Sequence, residues 1–307
     1  MSTTVITASD LPTIRGRYIE KADMSAFTWF RVGGPADVIF MPADEKDLAD
    51  FLANTSKEIP VMPVGVGSNL LVRDGGLRGV VIRLGKPFAE VETDWINIHA
   101  GAAALDMEVA KVTQKAGLMG LEFYYGVPGT IGGALTMNAG AYGRETCDVL
   151  IEASGYDRQG KFHHFTNEEM GFSYRHCALA EQFSQSGGFF FTGAIFRGAQ
   201  DDPMAVKARM DTIREQRENS QPIRERTGGS TFANPQGHKS WQLIDSIGGR
   251  GRTVGDAQVS EQHCNFLINR GKATASDLEE LGESLRDDVR EQHNVELRWE
   301  IRRVGEK

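Results

Sequence analysis

A loop of small residues follows the apolar segment 59–64 and consists of Gly65, Val66, Gly67, Ser68 and Asn69. Backbone N–H groups can converge on a phosphate where no large side chain intervenes, and the Ser68 hydroxyl adds a donor. The loop is not a dinucleotide-binding fingerprint, because Leu70 occupies the position of the third glycine. These residues alone predict either a phosphate-binding loop or an ordinary turn.

A second glycine-rich stretch runs from 123 to 143 without a charged residue. So many bare backbone positions in a neutral segment suit a large, flat, uncharged ring with hydrogen-bonding edges, such as a flavin. Its glycines and its proline argue against a membrane-spanning helix. The alternative is a buried loop or the start of a glycine-kinked helix. The candidate cofactor-binding residues of this stretch are Pro128, Gly129, Thr130, Gly132, Gly133 and Asn138.

Three further polar residues could take part in a reaction, and each also has an ordinary structural explanation. Ser230 lies on the glycine loop 227–235, where a hydroxyl commonly serves as a turn residue. Arg175 fits a plain surface arginine. Glu300 fits a solvated carboxylate between Arg298 and Arg302 on the polar face of a strand. The chain has no G-x-S-x-G nucleophile elbow and no readable Ser-His-Asp arrangement, which argues against a hydrolase.

The charge balance and the cysteine pattern restrict the class of protein. Thirty-four Lys and Arg residues against 42 Asp and Glu residues give a net charge of −8, which argues against a nucleic-acid binder held by phosphate contacts. Cys147, Cys177 and Cys264 lie far apart, and no HExxH motif occurs, so we expect neither a disulfide framework nor a metal site. The first sixteen residues, MSTTVITASDLPTIRG, lack a basic start followed by an apolar core, so we do not expect them to be a signal peptide. We therefore expect a cytoplasmic protein with no membrane partner.

The periodicity of the hydrophobic residues predicts the helices and strands that position these residues. It predicts helices at 44–54, 105–115 and 201–219, and another near the C-terminus, where Ser276 and Glu279 have the spacing of a capping box. The predicted strands are 59–64, 70–72, 79–84, 95–99, 149–156, 161–165, 188–196 and 295–304. The character of the sequence changes after Arg197, so we predict an α+β protein with a domain break near residue 200.

Taken together, the motifs resemble those of the UDP-N-acetylenolpyruvoylglucosamine reductases, the MurB flavoenzyme family of peptidoglycan precursor synthesis. The similarity starts at FTWFRVGGPAD (27–37) and continues through GVGSN, GLEF, GVPGTIGGA and MNAGAYG. It then includes Tyr174-Arg175, Gly229-Ser230 with Asn234-Pro235, residues 259–266 and residues 297–305. These motifs follow the family's order and cover nearly all of the chain after about residue 25, which makes the resemblance specific.

The resemblance implies a fold and a cofactor. An α+β FAD-binding module of the vanillyl-alcohol-oxidase-like (PCMH) type would form two subdomains, 1–85 and 86–200. A C-terminal α+β substrate domain would follow at 201–307. FAD would be bound non-covalently, because no histidine or cysteine suitable for attachment stands beside either loop. Its diphosphate would lie against residues 65–69, and its ring against residues 128–133.

The resemblance also implies a reaction. NADPH would reduce FAD as a co-substrate, and the flavin would then pass hydride to the enolpyruvyl double bond of a UDP-sugar. Hydride addition leaves negative charge that spreads into the adjacent carboxylate, where a preorganised cation acts most strongly. The matching positions are Arg175 for that cation, Glu300 for its hydrogen-bonding neighbour and Ser230 for the proton donor. Tyr174 and Asn234 would contact the substrate.

Two positions depart from the family's pattern. Ala233 stands where the family often has a lysine, so a cation for the substrate's phosphates would have to come from elsewhere. Cys177 follows the Tyr174-Arg175 motif, and we expect it to serve in packing. The chain also lacks the aromatic lid insertion of one subtype, which points to the shorter subtype. The arginines that could replace the lysine are Arg224, Arg226, Arg250 and Arg252.

Two other functions stay open at this point. A flavin-dependent sugar or alcohol oxidase of the same superfamily would hand electrons to oxygen or another acceptor and would need no serine proton donor. A non-catalytic flavin or nucleotide-sugar binding protein would need none of Arg175, Ser230 and Glu300, so their joint presence argues against it. The sequence does not determine the oligomeric state, for which a monomer is the working expectation.

Overall fold

The computed structural model describes residues 5–307, which form two compact units. The first unit combines the residues up to Glu20 with Val38–Gly65 and Gly79–Gln216. The second unit combines Lys21–Asp37, Val66–Arg78 and Arg217–Lys307. The boundaries of these two units therefore differ from the predicted domain boundaries at residues 85 and 200. The division into three domains stays a prediction.

The described residues form seven α-helices. They are α1 (Glu45–Asn54), α2 (Asp106–Lys115), α3 (Ile131–Met137), α4 (Ala178–Ser184), α5 (Pro203–Ser220), α6 (Ser240–Ser246) and α7 (Ala275–His293). Four of the seven, α1, α2, α5 and α7, were predicted by the hydrophobic periodicity. The helices predicted at 44–54, 105–115 and 201–219 are confirmed as α1, α2 and α5, with bounds within two residues. Pro203 occupies the first turn of α5, where its missing N–H costs nothing.

The strands are short and numerous. They are β1 (Arg17–Asp23), β2 (Pro35–Met41), β3 (Val61–Pro63), β4 (Leu70–Val72), β5 (Leu77–Ile82), β6 (Val91–Asp94), β7 (Asn97–Gly101), β8 (Leu118–Met119), β9 (Gly140–Ala141), β10 (Arg144–Glu145), β11 (Leu150–Asp157), β12 (Phe162–Thr166), β13 (Phe172–Ser173), β14 (His176–Cys177), β15 (Phe189–Arg197), β16 (Ala199–Gln200), β17 (Phe232–Ala233), β18 (Thr253–Val254), β19 (Ala257–Val259), β20 (Leu267–Asn269), β21 (Arg298–Trp299) and β22 (Arg302–Val304).

The first unit has two sheets, each with its own hydrophobic core. An antiparallel sheet in the order β12-β11-β15-β7-β6 packs with α2 and α3 through buried residues such as Val109, Leu135 and Phe196. The other sheet has the order β1-β2-β5-β3, with β3 parallel to β5. Phe51 of α1 and Phe40 of β2 lie in its core, with ring centroids 4.3 Å apart. Burial of such rings supplies most of the favourable free energy of folding.

The second unit packs α6 and α7 with the antiparallel sheet β18-β19-β20. The predicted apolar stripe of α7 is confirmed, since Leu278, Leu281, Leu285 and Val289 are completely buried. Two further strand pairs belong to this unit. β22 is parallel to β4, and β17 is antiparallel to β21. These pairs hold the polypeptide just after residue 230 and on either side of residue 300.

Two predicted details of the second unit are wrong. The capping box of α7 is formed by Thr274 and Asp277, because the helix begins at Ala275 and the Thr274 hydroxyl accepts from the Asp277 N–H at 3.0 Å. Ser276 instead donates its hydroxyl to Asp74. The strand predicted at 295–304 is divided into β21 and β22. The division falls at Glu300 and Ile301, because the N–H groups of both residues donate to the Thr231 carbonyl. Its alternation of buried and exposed side chains survives, with Leu297 and Ile301 buried.

Candidate active site

Gly67 holds the loop 65–69 in a conformation that only glycine accommodates. Its φ is +67°, and a Cβ added there would lie 2.2 Å from the carbonyl oxygen of Phe27. The Trp29 N–H donates to the Gly67 carbonyl at 3.2 Å and ties the loop to residues 27–29. A side chain at position 67 would therefore strain the backbone and also displace Phe27.

Thr130 brings the start of this loop together with the second glycine stretch. Gly65 is exposed, and a Cβ added to it would lie 2.6 Å from the Thr130 hydroxyl oxygen. A Cβ on Gly133, which is also exposed, would lie 3.7 Å from the same oxygen. Gly65 and Gly133, which are distant in sequence, thus both lie beside the hydroxyl group of Thr130. This is the arrangement that a ligand in close contact with the main chain requires.

Backbone hydrogen bonds fix the segment 129–132 in place. The Gly132 N–H donates to the Ala102 carbonyl at 2.8 Å, and the Asp106 N–H donates to the Gly129 carbonyl at 3.1 Å. The side chain of Thr130 is buried, whereas Pro128, Gly129 and Gly132 are partly exposed. A planar group that lay on this segment would therefore contact a rigid surface.

Asp106 is an acidic group that sequence reasoning missed. It is completely buried in the first turn of α2, and neither of its carboxyl oxygens has a hydrogen-bond partner within residues 5–307. Burial raises the pKa of Asp106 well above its ordinary value, so the neutral acid is favoured. An aspartate at a helix start usually serves as an exposed cap, and nothing in the local sequence indicates that this one is buried.

Arg175 occupies the turn of the hairpin β13–β14 with a φ of +55°. Its Nη2 donates to the Gly140 carbonyl at 2.8 Å, and its Nη1 lies 3.4 Å from Oε1 of Glu145. The guanidinium carbon lies 4.9 Å from the centroid of the Tyr174 ring, within the range of a cation–π contact. A positive φ at a non-glycine residue costs free energy, and such strain is concentrated at functional sites.

Glu145 connects Arg175 to Asn138, a role that no sequence pattern indicates. Asn138 ends α3 in the left-handed conformation, and its Nδ2 donates to Glu145 Oε2 at 2.9 Å and to the Ser173 carbonyl at 3.1 Å. Its Oδ1 accepts from the Cys147 N–H at 3.0 Å. The side-chain amide of Asn138 is thus used to position the Arg175 hairpin, and its predicted contact with a cofactor stays a prediction.

Ser230 is held by its neighbours, while its own hydroxyl is available. Within residues 5–307 the half-buried Ser230 side chain makes no hydrogen bond. Asn265 fixes the following residues: its carbonyl accepts from Thr231 N–H at 2.7 Å, and its side chain both donates to and accepts from the Phe232 backbone, at 2.8 and 3.0 Å. The amide of Asn265 thus substitutes for a neighbouring strand. Gly229, with φ +82°, supplies the turn before Ser230.

Glu300 is brought to the same loop as Ser230 within the second unit. Its N–H donates to the carbonyl of Thr231, the residue after Ser230, at 2.9 Å. Its own carbonyl accepts from Asn69 Nδ2 at 3.1 Å, so part of the loop 65–69 is attached at this point. Its side chain is half-buried. The structure thus places Ser230, Glu300 and Asn69 in one neighbourhood, although they are far apart in sequence.

The two predicted substrate contacts are accessible. Tyr174 is exposed beside Arg175, and Asn234 is exposed just after β17. Asn234 Oδ1 accepts from the Ser240 N–H at 3.0 Å, which leaves its Nδ2 without a hydrogen-bond partner among the described residues. Val66 and Ser68 are half-buried. Within residues 5–307 no group of three or more His, Cys, Asp or Glu residues is arranged to hold a metal ion.

Comparison with known proteins identifies the family. Residues 36–166 match the model of the FAD binding domain, and residues 221–304 match that of the UDP-N-acetylenolpyruvoylglucosamine reductase C-terminal domain. The reductase of that name from Maricaulis maris is 56% identical over 97% of this chain and 95% of its own length. The chain belongs to the UDP-N-acetylenolpyruvoylglucosamine reductase family. The reductase from Phenylobacterium zucineum is 57% identical over 96% of this chain and 97% of its own.

A solved member of the family supports the fold as well. The crystal structure of the reductase from Thermus caldophilus matches with a TM-score of 0.80 and 31% identity, over 95% of this chain and 100% of that one. The predicted α+β fold class with an FAD-binding module and a C-terminal domain is thereby confirmed. No helix within residues 5–307 is long and apolar enough to cross a membrane.

Proposed function

We propose that the chain reduces the enolpyruvyl group of UDP-N-acetylglucosamine enolpyruvate to UDP-N-acetylmuramate, with NADPH as reductant and FAD as cofactor, in peptidoglycan precursor synthesis. The observation that carries this proposal is the position of Ser230. Its hydroxyl has no partner within residues 5–307, whereas the backbone on its C-terminal side is fixed by Asn265 and Glu300. A hydroxyl held in this way can give a proton to a basic carbon of the substrate.

The residues of the glycine loops fit FAD. Gly65 and Gly133 offer exposed backbone beside the Thr130 hydroxyl, and a side chain at either position would fill this space. Residues 65–69 would hold the diphosphate, and residues 128–133 would hold the ring, since no charged side chain occurs in that stretch. When bound, FAD accepts hydride from NADPH and delivers it to the enolpyruvyl double bond.

Arg175 would stabilise the negative charge that this reduction creates, and Glu300 would position its hydrogen-bonding partners. The negative charge that arises on the substrate next to its carboxylate is best met by a cation that needs no reorganisation. The Arg175 guanidinium is already oriented by the Gly140 carbonyl and by Glu145. Glu300 is fixed through its backbone on both sides, so its carboxylate can position its partners, and Ser230 then gives the proton that completes the reduction.

The remaining assignments follow from the reaction. The partners are the UDP-sugar and NADPH, with Tyr174 and Asn234 as substrate contacts. NADPH and UDP-sugars are cytosolic metabolites, so we place the protein in the cytoplasm as a soluble monomer. Its bound FAD is non-covalent, since none of the three cysteines lies within residues 65–69 or 128–133.

Anaerobic spectroscopy of the purified protein tests the function. The protein should be yellow and should release FAD on denaturation. NADPH should bleach the flavin absorbance, and the UDP-enolpyruvyl sugar should restore it without oxygen. A flavin that is reoxidised by oxygen and not by this sugar would indicate an oxidase instead. Colourless protein that takes up no added FAD would refute the assignment altogether.

A further inference from the structure

The proposed substrate carries a diphosphate, and this inference rests on that proposed function. A diphosphate requires a cation that is not already neutralised by a carboxylate. Most arginines of the second unit are so neutralised. Those paired with carboxylates at 3.7 Å or less are Arg73 and Arg303 with Glu279, Arg78 with Asp37 and Glu306, Arg250 with Asp245, Arg252 with Asp288, Arg270 with Glu225, Arg286 with Glu283, and Arg290 with Asp287.

The strand β17 itself offers no cation. Ala233 is buried, and the next residue, Asn234, is exposed. The start of the helix α6, at Ser240, is hydrogen-bonded to both of these residues. The Ser240 hydroxyl donates to the Ala233 carbonyl at 2.8 Å, and the Ser240 N–H donates to Asn234 Oδ1 at 3.0 Å. Because Ser240 is completely buried, this attachment is part of the packed structure.

Lys239 precedes Ser240 and is therefore held beside Asn234. Its side chain is exposed and makes no hydrogen bond or ion pair within residues 5–307. From 230 to 244 the sequence has no Asp or Glu, so the charge of Lys239 is not offset by its own segment. We propose that Lys239 binds the diphosphate of the UDP-sugar and so supplies the cation that position 233 lacks.

Arg298 is the strongest competitor for this role. It lies opposite Ala233 in the pairing of β17 with β21, and it is also exposed. Glu300, however, lies two residues from Arg298 in the sequence. A nearby carboxylate reduces the positive potential at Arg298, whereas Lys239 has no Asp or Glu within five residues on either side. The charge pattern therefore favours Lys239.

Substitution of Lys239 separates binding from chemistry. K239A should raise the KM for the UDP-sugar by about tenfold to a hundredfold, the range for loss of one hydrogen bond to a charged group. Its kcat should stay within about twofold of the wild-type value, because Lys239 is distant from the reacting carbon along the substrate. K239R should retain most of the affinity. Lys272, another exposed lysine of the same unit, gives the matched control K272A, which should leave the KM unchanged.

Calorimetry with UDP and with uridine gives a second measurement on the FAD-containing protein. K239A should weaken the binding of UDP and leave the affinity for uridine unaltered. The proposal is overturned if K239A leaves the KM and the UDP affinity within twofold, or if R298A alone raises both. It is also overturned if K272A has the same effect as K239A. Wild-type protein that binds UDP through Lys239 but does not reduce the sugar would refute the proposed function and support this inference.

Discussion

At the scale of single residues, some polar side chains of the site are held by hydrogen bonds, whereas the hydroxyl of Ser230 makes none among the described residues. Arg175, Asn138 and Glu145 hold one another through hydrogen bonds, so their side chains need little reorganisation when charge appears nearby. Ser230 is the opposite case, because its backbone neighbours are fixed and its hydroxyl has no partner among the described residues. A fixed position and an unused donor are the two properties that a proton donor needs.

Ser230→Ala should separate the two halves of the reaction. The variant should bind FAD normally and be reduced by NADPH at close to the wild-type rate, because proton donation follows flavin reduction. Reoxidation of its flavin by the UDP-enolpyruvyl sugar should slow by about 10²–10⁴-fold, the usual contribution of a positioned general acid. Stopped-flow absorbance measures both steps.

Three further variants control this experiment. Ser230→Cys should recover part of the rate, since a thiol can also donate a proton. Glu300→Gln should slow the same step and spare flavin reduction. Ser284→Ala, on the surface of α7, should change neither. A Ser230→Ala protein that is slow with NADPH and normal with the sugar would rule out the proton-donor role.

Asp106 makes the stability of the protein depend on pH. Its pKa is raised in the folded state, so folding favours the protonated acid. The stability it contributes is complete below its pKa in the unfolded chain, and it is lost as the pH rises through the folded-state pKa. Asp106→Asn removes the titrating group and should therefore flatten the fall in the free energy of unfolding as the pH rises above about 4.

Urea unfolding at a series of pH values measures this effect. Exposed Asp94 provides the control, because Asp94→Asn should leave the pH dependence of the wild-type protein unchanged. Curves for Asp106→Asn and wild type that run parallel from pH 4 to pH 8 would show that Asp106 does not titrate in the way inferred here. The neighbouring buried phenol of Tyr124 stays neutral over this range, because burial raises its pKa as well.

At the scale of elements, the sequence predicts helices better than it predicts the loops that form the site. The helices α1, α2 and α7 follow from an apolar stripe that any sufficiently long window reveals. The capping box of α7 was misplaced because Ser276 and Thr274 are both good N-terminal caps, and tertiary contact with Asp74 decides between them. The break between β21 and β22 likewise depends on Thr231, a residue that no local pattern connects to it.

Gly67→Val tests the loop 65–69 as an element. The added branch would meet the Phe27 carbonyl and would also disfavour the positive φ, so the loop should lose its shape. FAD retention should fall first, and activity should fall as a result. The ratio of flavin to protein absorbance after purification measures it. Gly237→Val is a demanding control, since Gly237 has a similar φ of +76° but nothing within 4 Å of an added Cβ. Full flavin content in Gly67→Val would show that the loop does not hold the diphosphate.

At the scale of the whole molecule, the division into units could not be predicted from local sequence. The change of character after Arg197 predicted a C-terminal region from residue 201, whereas the first unit extends to Gln216 and the second unit also includes Lys21–Asp37 and Val66–Arg78. Strand pairing between distant segments depends on which edges meet in space, and a single sequence contains little information about it. The candidate residues were found through the motif resemblance, whereas Glu145, Asn265 and Asp106 became apparent only from their contacts.

The parallel pairing of β4 with β22 bears on how the chain is made. A ribosome that adds about 5–20 residues per second completes Leu70–Val72 roughly 10–50 seconds before Arg302–Val304 exist. During that time β4 lacks the partner that satisfies its edge, and Asn69 lacks its acceptor at Glu300. The region around residues 66–78 must therefore wait in a nascent chain, exposed to chaperones and proteases, until residues 300–304 have been added. Assembly of the Ser230 loop and of the loop at Gly67 is in this way coupled to the synthesis of a segment about 230 residues further along the chain.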